Sequence, residues 1–302
     1  MRGLEYPLLR IAYPHNGFMP PVPNYFPALS LIRRSRAWVT PVAPRVWALC
    51  LVNITMETLD NKLCFLTGAA GGIGRAVARA LAAEGLRLIL VDRDADGLAE
   101  IASEIGGRAV PLILDLADSS AIAPACADVR AEHGTVDILV NNAAIARLEK
   151  AADTDTALWH AVMAINLDAP FLLAREWLPG MREQRWGRIV NLCSMAQKTG
   201  GMVAGTAYTA SKGGLGALTF SLAREVADEG VTVNAVSPGL VPTAMITNDL
   251  GFHKIEALEA LTPTGRLVTP DEIAHAVRFL VSPLSGSITG EILDVNSGIH
   301  MD

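Results

Sequence analysis

The sequence predicts an α/β fold in which one domain is built on a doubly wound, parallel sheet of seven strands. Apolar segments alternate with helix-like segments from Lys62 onwards, and no domain boundary is evident after residue 59. Most of the apolar segments are continuous, which is typical of strands that are buried on both faces. The first of them leads into a glycine-rich turn and an alanine-rich helix. Together these features indicate a Rossmann-type sheet.

The predicted strands follow one another with helices between them, so right-handed crossovers should place them in one parallel sheet. They cover residues 62–67, 87–91, 109–114, 136–141, 187–193, 231–236 and 291–295. A late helix has a clear start, because Thr269 can cap it and Pro270 suits its first turn. Glu272 would complete the capping box.

The glycine-rich turn after the first strand is a candidate dinucleotide site. Glycines stand at Gly68, Gly72 and Gly74. They let the backbone approach a pyrophosphate, and the following helix offers free N–H groups to it. A tight turn uses glycine in any case, so the inference depends on the strand before the turn and the helix after it.

Asp92 ends the second predicted strand, 18 residues after Gly74. A carboxylate there can accept hydrogen bonds from the adenosine ribose and would repel a 2′-phosphate, which favours NAD over NADP. The neighbouring Arg93 could instead bind that phosphate. Asp115 ends the third strand, where it could contact adenine or cap the next segment.

Tyr208 and Lys212 are separated by one helical turn and therefore share a helix face. A phenol is a poor base at neutral pH, and a neighbouring ammonium can lower its pKa. A lone pair of this kind is usually just an amphipathic edge, so other motifs must support a catalytic role.

Those motifs resemble the short-chain dehydrogenase/reductase family from about Leu59 to Asp302. Thr67-Gly68-x-x-x-Gly72-x-Gly74 is similar to its cofactor turn, and Asn141-Asn142-Ala143-Ala144 to its NNAG segment. The family's catalytic tetrad is matched in order by Asn166, Ser194, Tyr208 and Lys212. Pro238-Gly239, followed by Thr243, resembles the segment against the nicotinamide. Within the family, 3-oxoacyl-carrier-protein reductases and related alcohol dehydrogenases are the most similar.

The resemblance implies a role for each matched residue. Tyr208 would exchange a proton with the substrate, and Ser194 would hydrogen-bond the substrate oxygen. Lys212 would lower the tyrosine pKa and hold the ribose, while Asn166 would hold a water that links Lys212 to solvent. The expected cofactor contacts are Gly68, Gly71, Gly72, Ile73, Gly74, Asp92, Arg93, Asp115, Leu116, Asn142, Ala143, Ala144, Tyr208, Lys212, Pro238, Gly239, Val241 and Thr243. The expected substrate contacts are Ser194, Met195, Gln197, Met202 and Met245.

Three functions are compatible with these residues. The first is hydride transfer between NAD and a secondary alcohol or ketone, or a hydroxyacyl or oxoacyl substrate. The second is an NADPH-dependent 3-oxoacyl-carrier-protein reductase. The third is an NAD-sensing regulator without turnover, against which the intact tetrad argues. The sequence departs from the family at Ala144, where the motif usually has glycine, and at Val295-Asn296-Ser297-Gly298, which replaces Val-Asp-Gly-Gly.

Residues 1–55 differ in composition from the rest of the chain. They contain eight of the 17 prolines, six arginines and one acidic residue, Glu5. Three interpretations are open: an upstream extension of the reading frame with Met56 as the natural start, a disordered tail, or a targeting leader. The first is favoured, because Met56 stands just before the first strand and proline density disfavours a leader helix. Residues 56–302 then form the functional domain.

The composition limits the partners. A net charge of −6 argues against nucleic acid, and no uncharged apolar stretch reaches the roughly 20 residues of a membrane span. The four cysteines show no metal spacing and suit reduced thiols in the cytoplasm, and the scattered histidines indicate no metal site. The resemblance implies a homodimer or homotetramer, formed by the helix after Tyr208 and the helix bearing Asn166.

Overall fold

The computed structural model describes residues 58–242 and 259–301, which form an α/β sheet with helices on both faces. The sheet is parallel throughout, and its seven strands lie in the order β3-β2-β1-β4-β5-β6-β7. The predicted fold class is confirmed. The strands are β1 (Leu63–Thr67), β2 (Arg87–Asp92), β3 (Ala109–Ile113), β4 (Ile138–Asn141), β5 (Gly187–Leu192), β6 (Val231–Pro238) and β7 (Ile292–Val295).

Helices connect these strands and cover the sheet. In chain order they are α1 (Gly72–Ala83), α2 (Ala95–Ile105), α3 (Ser119–His133), α4 (Thr156–Met163), α5 (Ala169–Gln184), α6 (Ala196–Thr199), α7 (Thr206–Val226) and α8 (Pro270–Val281). A π-helical turn, Ala164–Asp168, joins α4 to α5. Short 3₁₀ turns follow α7 (Ala227–Glu229) and α8 (Pro283–Ser285). The predicted capping box of α8 is confirmed, with Thr269 and Glu272 each bonding the other's backbone N–H.

The core has a layer on each face of the sheet because strand side chains alternate in direction. Leu66 of β1 belongs to the layer beneath α1 and α8, with Val277. Phe65 belongs to the opposite layer, with Leu173 and Trp177 of α5. The central strands β1, β4, β5 and β6 are buried at every residue, as their apolar runs predict.

The edge strands do not follow the prediction of burial on both faces. β3 is partly exposed along its length, and Ile113 is 64% accessible. Pro111 lies in this strand, a position where a missing N–H is tolerated because no further strand pairs with it. β7 forms the other edge and is partly exposed at every residue.

The sheet reverses its winding between β1 and β4, since β1 pairs with β2 on one side and with β4 on the other. Ligands of open α/β sheets bind in the crevice outside the strand carboxyl ends at such a point. Apart from Tyr208 and Lys212 of α7, the residues expected to bind cofactor end or follow β1, β2, β3, β4 and β6, and the fold therefore gathers them at the carboxyl ends of the strands.

The long helical segment Thr156–Gln184 comprises α4, the π-helical turn and α5. Within the described residues, it is the helix whose length and composition would allow it to cross a membrane. This is weak support for a membrane role, because the core helix of a soluble protein has the same properties. Here Leu173, Trp177 and Met181 of α5 pack into the core of the sheet.

Candidate active site

The glycine turn after β1 is shaped to receive an anionic group. Gly68 has φ +67°, and a Cβ there would lie 2.7 Å from the Asn142 amide nitrogen. That amide donates to the carbonyls of Thr67 (2.9 Å) and Gly68 (3.0 Å), which fixes the turn against the end of β4. Gly71 caps α1 without a side-chain hydrogen bond, and the first turn contains no acid. The N–H groups that begin α1 are therefore suited to a pyrophosphate.

Asp92 lies beside this turn at the carboxyl end of β2. One carboxylate oxygen accepts from the Ala70 backbone N–H at 3.1 Å, and the other accepts from the Asp94 N–H at 3.2 Å. The side chain is thus held in place while it lines the same crevice as Arg93. A carboxylate fixed here suits neutral hydroxyl donors better than a second phosphate.

One continuous crevice contains all of the predicted cofactor contacts for which the structure describes a position. Thr243 and Met245 lie outside the described residues, as do residues 1–57. The crevice is lined by Gly68, Gly71, Gly72, Ile73, Gly74, Asp92, Arg93, Asp115, Leu116, Asn142, Ala143, Ala144, Tyr208, Lys212, Pro238, Gly239 and Val241, together with Ser194. It therefore runs from the glycine turn to the predicted catalytic residues.

Sequence reasoning did not name six further residues that line the crevice. They are Val91, Leu114, Ile145, Ile165, Leu192 and Cys193. Val91, Leu114 and Cys193 directly precede Asp92, Asp115 and Ser194, and Leu192 ends β5, so their position at or beside a strand end was a usable signal. Ile145 and Ile165 offered no such signal, because their place depends on how the π-helical turn packs.

Tyr208 and Lys212 both project from α7 into this crevice. The Lys212 ammonium nitrogen lies 5.8 Å from the centroid of the Tyr208 ring and donates to the Leu192 carbonyl at 2.6 Å. Lys212 is 2% exposed. Ser194 follows β5 and lines the crevice with Tyr208, and its hydroxyl favours the Tyr208 phenolate. The fold brings these three residues together.

Asn166 lies in the π-helical turn and is completely buried. Its amide nitrogen donates to the Ile145 carbonyl and to the Ser211 hydroxyl, each at 3.0 Å. Its amide oxygen accepts from the Ile145 N–H at 2.9 Å. The side chain therefore braces the segment after β4 against α7, and it is not among the residues that line the crevice.

Comparisons with known proteins agree with this geometry. A family model described as enoyl-(acyl carrier protein) reductase matches residues 68–300. The galactitol 2-dehydrogenase (L-tagatose-forming) of Cereibacter sphaeroides is 42% identical over 251 residues, covering 81% of this chain and 97% of that protein. The 3-oxoacyl-(acyl-carrier-protein) reductase of Salmonella typhimurium is 39% identical over 245 residues, covering 81% and 99%.

Two solved structures share the fold at similar coverage. A short-chain dehydrogenase/reductase of glucose/ribitol dehydrogenase type from Brucella melitensis is 36% identical, with a TM-score of 0.76 over 82% of this chain and 99% of that one. A protein described as NAD(P)-dependent gluconate 5-dehydrogenase from Beutenbergia cavernae, with bound NADP, is also 36% identical, with a TM-score of 0.76 over 80% and 98%. The chain belongs to the short-chain dehydrogenase/reductase family. It is an oxidoreductase, and the family uses a nicotinamide cofactor.

Burial dominates the electrostatics of the site in this dehydrogenase/reductase. Burial raises the pKa of Tyr208, and the hydrogen bond from Ser194 lowers it. Burial also lowers the pKa of Lys212 to about 8. Desolvation thus disfavours both charged forms in the protein alone. The expected acidification of Tyr208 by Lys212, helped by a bound nicotinamide, stays a prediction.

The residues predicted to contact substrate are dispersed around the end of β5. Met195 is buried in the core, and its N–H donates to the Pro238 carbonyl at 3.0 Å. Gln197 packs against Gly216 of α7, whereas Met202 is 56% exposed. Four of the five predicted substrate contacts lie in the described part of the chain, and among these four Ser194 lines the crevice.

Lys198 of α6, close to Ser194 in sequence, is paired with Asp294 of β7 at 2.7 Å. The described residues include no group of three or more His, Cys, Asp or Glu arranged to hold a metal ion.

Proposed function

We propose that this protein transfers a hydride between NAD and a secondary alcohol or ketone, or a hydroxyacyl or oxoacyl compound. One observation carries the proposal: Tyr208, Ser194 and Lys212 line the same crevice as the glycine turn. A proton-transfer group beside a dinucleotide cradle is what carbinol oxidation requires. The names of two relatives, a polyol dehydrogenase and an oxoacyl reductase, agree with both substrate classes.

Each of three residues has a separate role in the proposed reaction. Tyr208 removes the hydroxyl proton during oxidation and returns it to the carbonyl oxygen during reduction. Ser194 donates a hydrogen bond to that oxygen and stabilises the charge that develops there. Lys212 provides a buried positive charge below its pKa. A bound nicotinamide would accept or donate the hydride.

The cofactor would be held by the chain's backbone and by one carboxylate. The start of α1 would bind the pyrophosphate, and Asp92 would accept hydrogen bonds from the adenosine ribose. Two backbone N–H groups hold Asp92 in place, and its negative charge would repel a 2′-phosphate, which favours NAD. Pro238 and Gly239 would lie against the nicotinamide.

The test compares NADH and NADPH in reduction of a panel of ketones, polyol-derived ketoses and 3-oxoacyl thioesters, followed by absorbance of the reduced cofactor. We expect turnover with at least one class, and a higher kcat/KM with NADH. Tyr208→Phe should lower kcat by about 100-fold or more because it removes the proton donor, and it should change cofactor affinity much less because the aromatic ring is kept. Retention of full activity by Tyr208→Phe would contradict the mechanism.

A second function, NADPH-dependent reduction of 3-oxoacyl-carrier-protein substrates, is favoured by one specific observation. Arg93 lines the crevice next to Asp92, where a guanidinium can pair with a phosphate. The solved relative with bound NADP agrees with this alternative. Equal or better use of NADPH, together with turnover of oxoacyl thioesters alone, would select it.

We also propose an assembly and a location, which the surface and the thiols support. Large apolar side chains are exposed on α5 (Phe171, 45%) and α7 (Phe220, 50%), which supports a homodimer or homotetramer formed through these helices. Cys64, Cys126 and Cys193 are free and buried, which suits a reducing cytoplasm. Residues 56–302 would form the functional domain.

A further inference from the structure

An ion pair joins the segment after Ser194 to the edge of the sheet. The Lys198 ammonium of α6 lies 2.7 Å from the Asp294 carboxylate of β7, and the two side chains are 21% and 19% exposed. The residues are 96 positions apart in sequence. This pair is mostly shielded from water, and its attraction is therefore stronger than that of a surface pair.

The direction of the Ser194 hydroxyl depends on where α6 lies. The hydroxyl oxygen accepts from the Ala196 N–H at 3.2 Å, and the Ser194 carbonyl accepts from the Gln197 N–H at 3.1 Å. α6 has four residues, which is too short for a helix to be stable without tertiary contacts. Whatever fixes α6 therefore also orients Ser194.

Asp294 lies on β7, a strand that also supports the Pro238-Gly239 segment of the crevice. It lies in register with Ser237 of β6, directly before Pro238. The next β7 residue, Val295, accepts a hydrogen bond from the Gly239 N–H at 2.8 Å. β7 is thus a fixed reference from which Asp294 can hold α6 through Lys198.

We infer that Asp294 is a positioning residue, which acts through Lys198 to keep Ser194 directed at the Tyr208 hydroxyl. The catalytic consequence rests on the proposed function, whereas the structural consequence does not. Burial disfavours the Tyr208 phenolate most; of the neighbouring described groups, Ser194 favours the phenolate and Cys193 disfavours it. Lys212 lies one turn away on the same helix.

Ionisation of Tyr208 offers a direct readout without any substrate. The chain has four tyrosines, and the other three are Tyr6, Tyr13 and Tyr25. The difference in tyrosinate absorbance between a protein and its Tyr208→Phe counterpart therefore reports Tyr208 alone. The test measures this titration in the full chain, in Asp294→Asn, and in Asp137→Asn as a control. Asp137 pairs with Lys62 at 3.3 Å with similar exposure, 22% and 14%, at the opposite end of the strands.

We expect Asp294→Asn to raise the pKa of Tyr208 by roughly half a unit to one unit, because a displaced Ser194 no longer stabilises the phenolate. The sign is diagnostic, since loss of a negative charge alone would lower that pKa. Asp294→Glu keeps the negative charge, and the pKa of Tyr208 in this variant should be close to that of the unaltered protein. Asp137→Asn should leave the titration of Tyr208 unchanged. An unchanged or lowered pKa in Asp294→Asn would overturn the inference.

Steady-state kinetics provide a second, independent test of the positioning role. With galactitol and NAD as the probe pair, or the first active pair from the substrate panel, Asp294→Asn should lower kcat about tenfold with little change in the KM for cofactor. Asp137→Asn should change neither constant. If the unaltered protein turns over no probe, the proposed function fails, and the tyrosine titration still decides the positioning role.

Discussion

At the residue scale, Asp92 is expected to do two things at once. It would bind the ribose, and it already holds the glycine turn through the Ala70 N–H. We expect Asp92→Ala to raise the KM for NAD by about tenfold or more, because both contacts are lost. Removing the negative charge would by itself lower the KM for NADPH. We expect that decrease to be small, because loss of the contact to the Ala70 N–H loosens the glycine turn for either cofactor.

The control for this prediction is Asp94→Ala, measured in the same steady-state assays. Asp94 caps α2 by accepting from the Gly97 N–H at 3.1 Å, so its loss should lower stability by about 1 kcal/mol. It should leave the ratio of NAD to NADP use unchanged. A complete switch to NADPH in Asp92→Ala would contradict the double role.

Lys212 gives the reaction a predicted dependence on pH. Since burial lowers its pKa to about 8, the ammonium is charged below pH 8 and neutral above it. Tyr208 has a raised pKa and remains a proton donor throughout this range. We therefore expect kcat/KM for ketone reduction to be level below about pH 8 and to fall above it.

A pH titration of the melting temperature separates this effect from unfolding. The folded-state pKa of Lys212 lies below the value of an unfolded lysine, 10.5, so the unfolded chain binds more protons between the two values. Stability contributed by this group therefore rises with pH in that window. A rate that stays level to pH 9.5 would show that the charge of Lys212 does not limit reduction.

At the element scale, the π-helical turn depends on Asn166. Its side chain makes three hydrogen bonds, two to Ile145 and one to Ser211. Asn166→Ala would remove the side-chain partner of both Ile145 backbone groups and one of the two hydrogen bonds of the buried Ser211 hydroxyl. We expect a loss of about 2–4 kcal/mol in the free energy of unfolding, measured by denaturant titration. Asn166→Asp keeps the acceptor for the Ile145 N–H but loses both donors. A loss under 0.5 kcal/mol in Asn166→Ala would contradict the bracing role.

The elements that the sequence predicted are those with a local cause. The runs before Gly68 and Asp92 predicted β1 and β2, and the Thr269 capping box predicted the start of α8. The exposure of β3 was not predictable from its own residues, because it depends on the position of the strand at the sheet edge. The π-helical turn is set by bonds to Ile145 and Ser211, which are distant in sequence.

The candidate site shows the same division between local and long-range causes. The spacing of Tyr208 and Lys212 predicted that they share a face of α7, and they do. It did not predict the direction of their pKa shifts, because desolvation is a property of the whole fold. The pair between Lys198 and Asp294 could not be predicted either, since neither residue belongs to a motif.

At the scale of the whole molecule, the exposed rings of Phe171 and Phe220 predict self-association. Replacing both with glutamate should lower the oligomeric state measured by light scattering, because charges would have to be buried in an apolar interface. Lys150, which donates to the Gly201 and Ala204 carbonyls, is elsewhere on the chain, and Lys150→Ala is the control that should not dissociate the assembly. A monomer in the unaltered protein would refute the interface.

The last prediction concerns the share of the chain that the fold needs. Every described strand and every residue of the crevice lies between positions 58 and 301, and residues 1–55 carry a charge of +5 against −11 for the remainder. We expect a protein that starts at Met56 to keep its melting temperature within about 3 °C of the full chain, because the core layers remain intact. Its kcat/KM should stay within about twofold, since no crevice residue is removed. Both would be measured beside the full chain, by calorimetry and by cofactor absorbance. A truncated protein that fails to fold would show that the first 55 residues are part of the domain, and folding without activity would place a functional group among them.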